Sequence, residues 1–256
     1  MANSIDFDGT DLSDYNLVVN SPGNHAFNQI VSRVQLQDRG YAFRPQREPR
    51  GISLEFTVTG TSRSNLDSNL DSIKRILTQL VVKQLKFDSL TDRYFNAILE
   101  RFTGGYTSPV VFRGNMSFIC PDPVAHSTTE NTVTQDVDAD PKTLYIPESS
   151  DEVVGGSAFL LPTFVLTAGE TLSSVTLLLK NETTIEEISI SSLSLVATDI
   201  VTIDSSLWTV TREAVAHMAN VTGKFPRLEP NLRNQFTVTA FGTSGTLSVI
   251  YREAYL

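Results

Sequence analysis

The sequence is poor in the residue types from which many catalytic and metal sites are built. Its 256 residues include one cysteine, one tryptophan and three histidines. The single cysteine, Cys120, excludes an intrachain disulfide and a cysteine-based zinc site. The histidines are isolated in sequence, and none has the HExxH spacing of a metalloprotease. We therefore predict that the chain is not an enzyme and uses no metal and no other cofactor.

Long apolar segments are missing as well. Purely aliphatic runs reach only three residues, as at Leu177–Leu179, whereas a membrane-spanning helix needs about 20 apolar residues. The first residues, "MANSIDFDGT", show neither the basic region nor the apolar region of a secretory signal. These features predict a soluble protein that is synthesised in a cytoplasm and does not insert into a membrane.

The net charge of −9 arises entirely in the second half of the chain. Up to Asp122 there are 13 Lys and Arg against 13 Asp and Glu, whereas the remainder has 7 against 16. An acidic surface disfavours nucleic acid and anionic membranes as partners. The charge step coincides with "CPDP", whose prolines oppose strand continuation. We therefore predict two domains, 1–125 and 126–256, with the polar stretch 127–157 as linker and entry loops.

One amphipathic helix is predicted in the first domain. Apolar residues recur there at steps of three and four, which places them on one helix face: Leu66, Leu70, Ile73, Leu77 and Leu80. Ser64 and Asp67 have the spacing of a capping box, with Asp in place of the usual Glu or Gln. The helix is expected to cover one face of a sheet.

The remaining pattern predicts a mainly β protein. Apolar and polar residues alternate between Ile52 and Thr59, as in a half-buried strand. Beyond residue 158, many short apolar runs are separated by turn residues, which is typical of an antiparallel sandwich. The stretch "LKFDSLTDRYFNAIL" predicts a hairpin, with strands Lys83–Phe87 and Arg93–Phe102. Its turn, Asp88–Asp92, is favoured over an acid–base site because catalytic carboxylates usually need burial, whereas the tip of a turn is exposed.

The return strand of this hairpin has apolar residues on both faces. Tyr94 and Ile98 lie on one face, and Phe95 and Leu99 lie on the other. Such a strand must be covered on both sides, by its own domain or by a neighbouring subunit. We take these four residues as a candidate subunit interface.

Two further candidate sites are weaker. Arg44 and Arg47 belong to a proline-containing, arginine-rich loop, and arginine is enriched at protein interfaces. We therefore add both to the candidate interface. Trp208 lies in a strand-like run, which favours a core position, but its ring could also stack on a sugar. It is the candidate glycan contact.

The order of the motifs resembles that of the distal tail protein family (Dit) of long-tailed, non-contractile bacteriophages. The helix "NLDSNLDSIKRILTQL" is followed by the hairpin "LKFDSLTDRYFNAIL" and the strand "GNMSFICPDPVA". The second half adds "LVATDIVTIDSSLWTV", "GKFPRLEPNLRNQFTV" and the final "VIYREAYL". One departure is Pro230-Asn231, where the family pattern has Pro-Gly. Asn tolerates a left-handed backbone, so the turn can be kept.

The resemblance implies both a fold and a role. The first domain would be a β-sandwich with one α-helix and a projecting β-hairpin. The second would be a galectin-like or carbohydrate-module-like β-sandwich. The protein would form a hexameric ring in the virion tail tip, joining the tail tube and tape-measure protein to the tail hub and receptor-binding apparatus. The alternative is an adhesion module that binds host cell-surface glycan through the second sandwich. A cell-wall hydrolase is disfavoured because no nucleophile motif or metal site is present.

Overall fold

The computed structural model describes residues 4–21, 35–36, 39–40 and 49–255. The chain divides into two compact units, with the boundary between Thr128 and Thr129. This boundary lies slightly beyond the one predicted after residue 125. Strands dominate both units, which confirms the mainly β fold class.

The first unit is built on one antiparallel sheet. Its described strands are β1 (Ile5–Phe7), β2 (Thr10–Asp11), β3 (Leu17–Ser21), β4 (Gln35–Leu36), β5 (Arg39–Gly40), β6 (Arg50–Thr59), β7 (Lys83–Phe87), β8 (Leu90–Ser108), β9 (Val111–Cys120) and β10 (Ala125–Ser127). The sheet order is β2-β1-β7-β8-β9-β6-β3, with β10 also paired to β8. Strands β4 and β5 pair with each other. A short 3-10 helix, Leu12–Tyr15, precedes β3, and the helix α1, Arg63–Leu77, follows β6.

Helix α1 has the predicted apolar face but different ends. Four of the predicted apolar residues are buried in the helix: Leu66, Leu70, Ile73 and Leu77. The N-cap is Ser62, whose hydroxyl accepts a hydrogen bond from the N–H of Asn65 at 3.2 Å. The prediction of Ser64 as the cap was therefore wrong, because Ser62 has the extended backbone that a cap requires. The helix ends at Leu77, and Leu80 lies beyond it with 93% of its surface exposed.

Aromatic side chains fill the core between the central strands of the first unit. Phe56 on β6 lies 4.8 Å from Phe102 on β8 and 6.1 Å from Phe112 on β9, measured between ring centroids. The alternating residues of β6 point into this core, as predicted from their period of two. The sheet and helix thus share one apolar interior, which fixes the position of β8.

The second unit consists of two antiparallel sheets. Their strands are β11 (Asn131–Val137), β12 (Lys142–Ile146), β13 (Thr163–Thr167), β14 (Leu172–Asn181), β15 (Glu186–Leu195), β16 (Ile200–Asp204), β17 (Thr209–Arg212), β18 (Val215–Ala216), β19 (Val221–Gly223), β20 (Asn234–Thr239) and β21 (Gly245–Tyr251). The last strand, β22 (Ala254–Tyr255), belongs to neither of these two sheets. The sheet orders are β11-β21-β13-β16-β17-β18 and β12-β20-β14-β15-β19. Phe164 of the first sheet lies 5.3 Å from Phe236 of the second, between ring centroids. The contact identifies a face-to-face sandwich, as predicted.

The interpretation of residues 127–157 as linker and entry loops was wrong. The stretch contains β11 and β12, which pair with β21 and β20 as the outer strands of their sheets. Each strand of a two-sheet sandwich turns one face to solvent, so it needs apolar residues only at alternate positions. Val137, Leu144 and Ile146 supply the buried positions of these strands. Strands β11 and β12 were therefore not predicted, because the stretch is polar.

Candidate assembly surface

The predicted hairpin is present, with a tighter turn than expected. Asp88 and Ser89 form the turn, because Phe87 already pairs with Leu90. The Asp88 carboxylate accepts a hydrogen bond from the N–H of Ser4 at 2.9 Å. Asp92 instead contacts the Nε atom of its neighbour Arg93 at 3.3 Å. The two carboxylates therefore have separate structural partners, in agreement with the turn interpretation.

Tyr94 and Phe95 are covered by the chain itself. The Tyr94 ring lies 5.5 Å from the ring of His126 on β10, and only 8% of the residue is exposed. The Phe95 ring lies 6.1 Å from Phe87, and the Arg50 guanidinium carbon lies 5.1 Å from its centroid. These contacts correct the prediction that Tyr94 and Phe95 present an apolar surface to a neighbouring subunit.

Strand β10 accounts for this burial. Its three residues, Ala125–Ser127, pair with β8 from Arg93 to Phe95. The Nε2 atom of His126 lies 2.7 Å from the Asp122 carboxylate, which fixes the start of the strand. The signal was missed because the two prolines of "CPDP" suggested the end of the domain, whereas the chain returns to the same sheet after them.

Ile98 and Leu99 remain partly exposed, where the pairing of β8 changes. Up to Ala97, β8 pairs with β7, and from Ile98 to Ser108 it pairs with β9. Among the described residues, no strand pairs with the other edge of Ile98–Ser108. We call this the open edge of β8. An open edge presents backbone N–H and C=O groups that a strand of another chain can satisfy.

An apolar groove lies beside the open edge, between β8 and the end of α1. Its volume is about 380 Å³, and Leu80, Leu99 and Phe102 supply its apolar lining. Val81 and Val82 follow Leu80 and are also exposed, Val81 by 61%. Three consecutive exposed aliphatic residues beside an open strand edge are typical of an interaction surface. The helical periodicity had assigned Leu80 to the core, so sequence reasoning missed this surface.

The far end of β8 is tied to helix α1 by three side chains. The Tyr106 hydroxyl donates a hydrogen bond to the Asp67 carboxylate at 2.6 Å, and the Arg63 Nε atom donates to it at 3.1 Å. The Arg63 guanidinium carbon lies 3.3 Å from the centre of the Tyr106 ring. The Tyr106 hydrogen bond, helped by Arg63, lowers the pKa of Asp67. The same hydrogen bond raises the pKa of Tyr106.

Replacing Tyr106 by phenylalanine is expected to raise the pKa of Asp67 towards its ordinary value, because the strongest bond to the carboxylate is lost. The pKa of Asp67 in the variant would be measured from its carboxyl carbon chemical shift, followed by NMR during a pH titration. In the wild type the folded pKa lies below the unfolded one, so the contact contributes at neutral pH and is lost as pH falls below about 3.8. An unchanged Asp67 titration in Tyr106→Phe would contradict the assignment. Tyr145→Phe, in the second unit, is the control.

The remaining predicted site residues lie elsewhere. Arg44 and Arg47 are outside the residues that the structure describes. Trp208 lies in a turn just before β17, with 59% of its surface exposed, so the core interpretation was wrong. Its ring lies 5.8 Å from that of Phe225. The glycan contact at Trp208 stays a prediction.

Neither a cluster of metal-ligating residues nor a membrane-spanning helix is present in the described part of the chain. Within residues 4–21, 35–36, 39–40 and 49–255, no group of three or more His, Cys, Asp or Glu residues is placed to hold a metal ion. No helix in these ranges is long and apolar enough to cross a membrane. Cys120 is buried, which raises the pKa of its thiol to about 11.

Comparison with known proteins gives a likeness in structure but not in sequence. The chain matches no protein-family model, and no curated protein matches it. It is similar to the crystal structure of the Dit (gp 19.1) protein of phage SPP1, described as a paradigm of the hub adsorption apparatus in Gram-positive infecting phages. That match has a TM-score of 0.75 and 15% identity and covers 100% of both chains.

Two structures of the activated phage P2 baseplate, one with Ca and one with Sr, are more distant. Each shows 10% identity over 98% of both chains, and their TM-scores are 0.49 and 0.47. Over its whole length the chain has the fold of a phage distal tail protein, which confirms the resemblance that the order of its sequence motifs predicted.

Proposed function

We propose that this chain is a structural component of the tail tip of a long-tailed phage. It assembles with further copies of itself into a ring, with six subunits as the family resemblance implies, and acts by assembly and not by catalysis. The fold of the SPP1 Dit protein, matched over the full chain, supports the role in the tail. The open edge of β8 and its adjacent groove support the assembly, and they are the observation that carries the proposal.

A ring of identical subunits needs two different, complementary surfaces on each subunit, because its contacts are head-to-tail. The open edge of β8 and the groove supply one such surface. Strand β3, Leu17–Ser21, ends the sheet order on the side opposite β2 and is the candidate for the second. The interface therefore keeps Ile98 and Leu99, adds Leu80, Val81 and Val82, and no longer includes Tyr94 and Phe95. Arg44 and Arg47 remain in the proposal on sequence grounds.

The charge distribution supports packing through the first unit. Its acidic and basic residues balance, whereas the second unit carries the whole net charge of −9. Copies of a neutral unit can approach closely, whereas copies of a strongly acidic one repel each other. In the virion, the ring would connect the tail tube and tape-measure protein to the tail hub and receptor-binding apparatus, after synthesis in the host cytoplasm.

Replacing Val81 by glutamate is expected to weaken self-association at least about tenfold, because the change puts a charge into an apolar contact. Light scattering coupled to size exclusion, native mass spectrometry and electron microscopy of single particles would report the mass and shape of the assembly. The matched control is Val153→Glu, because Val153 is a similarly exposed valine in the second unit, at 55% against 61%.

The outcomes of this experiment separate two claims. A wild-type protein that stays monomeric at every concentration, with no ring in the micrographs, would contradict the proposed assembly. Rings that persist unchanged in Val81→Glu would leave the role intact and show that the exposed segment around Val81 is not the contact.

A further inference from the structure

We propose that the second unit carries a docking surface for a basic segment of another protein, centred on Trp208. We call it the Trp208 surface, and its members are Phe159, Leu161, Leu207, Trp208 and Phe225. This inference concerns the second unit alone and does not require the ring. It adds to the proposed function a partner of defined chemistry.

The Trp208 surface exposes several large apolar side chains to solvent, which is unusual. Leu207 is 70% exposed, beside Trp208 at 59%, and Phe159 and Leu161 are also exposed. Tryptophan and phenylalanine are enriched at the centres of protein interfaces, where their large apolar area is desolvated on binding. Exposed aromatic and aliphatic residues on neighbouring segments therefore favour an interaction surface over a solvated loop.

The backbone at Trp208 is held in an uncommon conformation. Its φ is +58°, in the left-handed region that bulky residues seldom occupy. The Asp204 carboxylate stabilises the preceding turn by accepting hydrogen bonds from the N–H groups of Ser206 at 2.8 Å and Leu207 at 3.0 Å. The fold thus supports a strained turn that leaves two large apolar side chains in solvent. Such strain is typically retained where it serves a function.

Buried hydrogen bonds fix the three segments of the surface to each other. The hydroxyl of Ser205, a fully buried residue, donates to the carbonyl oxygen of Pro226 at 2.8 Å. The N–H of Ser205 donates to the carbonyl oxygen of Pro162 at 3.1 Å. Leu160 and Leu228 exchange two backbone hydrogen bonds, each 3.0 Å long. A surface whose parts are ordered before binding loses less conformational entropy when a partner docks.

Arg227 holds Phe159 in place without making the surface basic. Its guanidinium carbon lies 3.9 Å from the centre of the Phe159 ring. Its Nε atom lies 3.3 Å from a carboxylate oxygen of the nearly buried Glu186. Because this carboxylate offsets the positive charge of Arg227, Arg227 adds no net positive charge to the Trp208 surface.

Charge and composition together select the partner. The second unit has 7 Lys and Arg against 16 Asp and Glu, so its field attracts a basic segment and repels anionic polymers and copies of itself. The aliphatic side chains of Leu161 and Leu207 offer no hydrogen bonds to sugar hydroxyl groups. The occupant that fits is therefore a protein segment with apolar anchors and flanking Lys or Arg.

The test begins with selection from a random library of short synthetic peptides on the full-length protein. We expect enrichment of peptides that combine aliphatic or aromatic residues with Lys or Arg. A selected peptide is then titrated while the fluorescence of Trp208, the chain's one tryptophan, is followed. Binding should shift its emission to shorter wavelength and protect it from acrylamide quenching. Leu207→Ser should weaken binding about tenfold, whereas the control Leu232→Ser, another exposed leucine of this unit, should leave it unchanged.

Several results would overturn the proposal. Selection of acidic peptides would exclude a basic segment as the partner. If Leu207→Ser binds the selected peptides as tightly as the wild type does, the Trp208 surface is not the binding site. Titration with dextran and with N-acetylglucosamine oligomers tests the alternative occupant, a glycan. If these sugars change the Trp208 emission and the selected peptides do not, the surface is a glycan site. Circular dichroism melting of both leucine variants confirms that each remains folded.

Discussion

Phe95→Asp is expected to unfold the first unit, and not merely to weaken assembly. Phe95 is buried, with 3% exposure, and its ring lies 6.1 Å from that of Phe87. Removing such a ring leaves a cavity that costs about 3–5 kcal/mol. The substitution also buries a carboxylate, which adds a desolvation penalty that Arg50, 5.1 Å from the ring centre, offsets only in part. The expected loss in free energy of unfolding is at least about 4 kcal/mol.

Urea unfolding and amide hydrogen exchange would measure this loss, with the exchange data assigning it to β7, β8 and β10. Val81→Glu serves as the comparison, because the exposed Val81 side chain should tolerate a charge without unfolding. A Phe95→Asp protein that folds normally but fails to assemble would restore Phe95 to the interface and contradict its burial by the chain itself.

Gly169→Ala is expected to destabilise the second unit severely. A Cβ atom at this position would overlap the carbonyl oxygen of Ser244. The obstacle is backbone, which cannot rotate away as a flexible side chain can. Ala168 next to it exchanges backbone hydrogen bonds with Thr198 and Asp199, at 2.7 and 2.9 Å, so the loop cannot shift without breaking them. Overpacking with loss of these bonds should cost at least about 3 kcal/mol.

Thermal unfolding monitored by Trp208 fluorescence would report this effect, because the chain's single tryptophan lies in the second unit. Gly51→Ala is the control, since nothing lies within 4 Å of the Cβ atom it would add, and its unfolding is followed by circular dichroism because Gly51 lies in the first unit. We expect Gly51→Ala to change stability by less than about 0.5 kcal/mol. A Gly169→Ala protein with wild-type unfolding would show that this close backbone approach does not constrain the unit.

Most of the fold could be predicted from the regular spacing of apolar residues in the sequence. The apolar stripe of α1 and the alternation in β6 were predicted correctly, because both signals are local. The first strand of the hairpin, Lys83–Phe87, was also predicted with its observed bounds. Strands β11 and β12 were missed, because an outer strand with a solvent-facing side has a composition close to that of a loop.

The candidate surfaces were harder to predict, because each depends on contacts distant in sequence. Burial of Tyr94 requires His126, which reaches β8 only after the chain has completed β9. Exposure of Leu80 depends on where α1 ends, and helix ends are set by capping contacts more than by periodicity. Trp208 lies in a strand-like run of the sequence, but its left-handed backbone places it in a turn. No pattern of residue types in the sequence indicates that conformation.

The length of β8 has a mechanical consequence. This one strand of 19 residues is held by β7 and β10 over its first part and by β9 over its second. Its ladder hydrogen bonds run perpendicular to the strand, so tension along its axis loads many of them in parallel, as shear. A pull applied at Ser108 would therefore be carried through continuous covalent backbone to the buried segment around Phe95. The strand that offers the open edge is thus anchored against loads along its axis, which is what the proposed place in a phage tail would require.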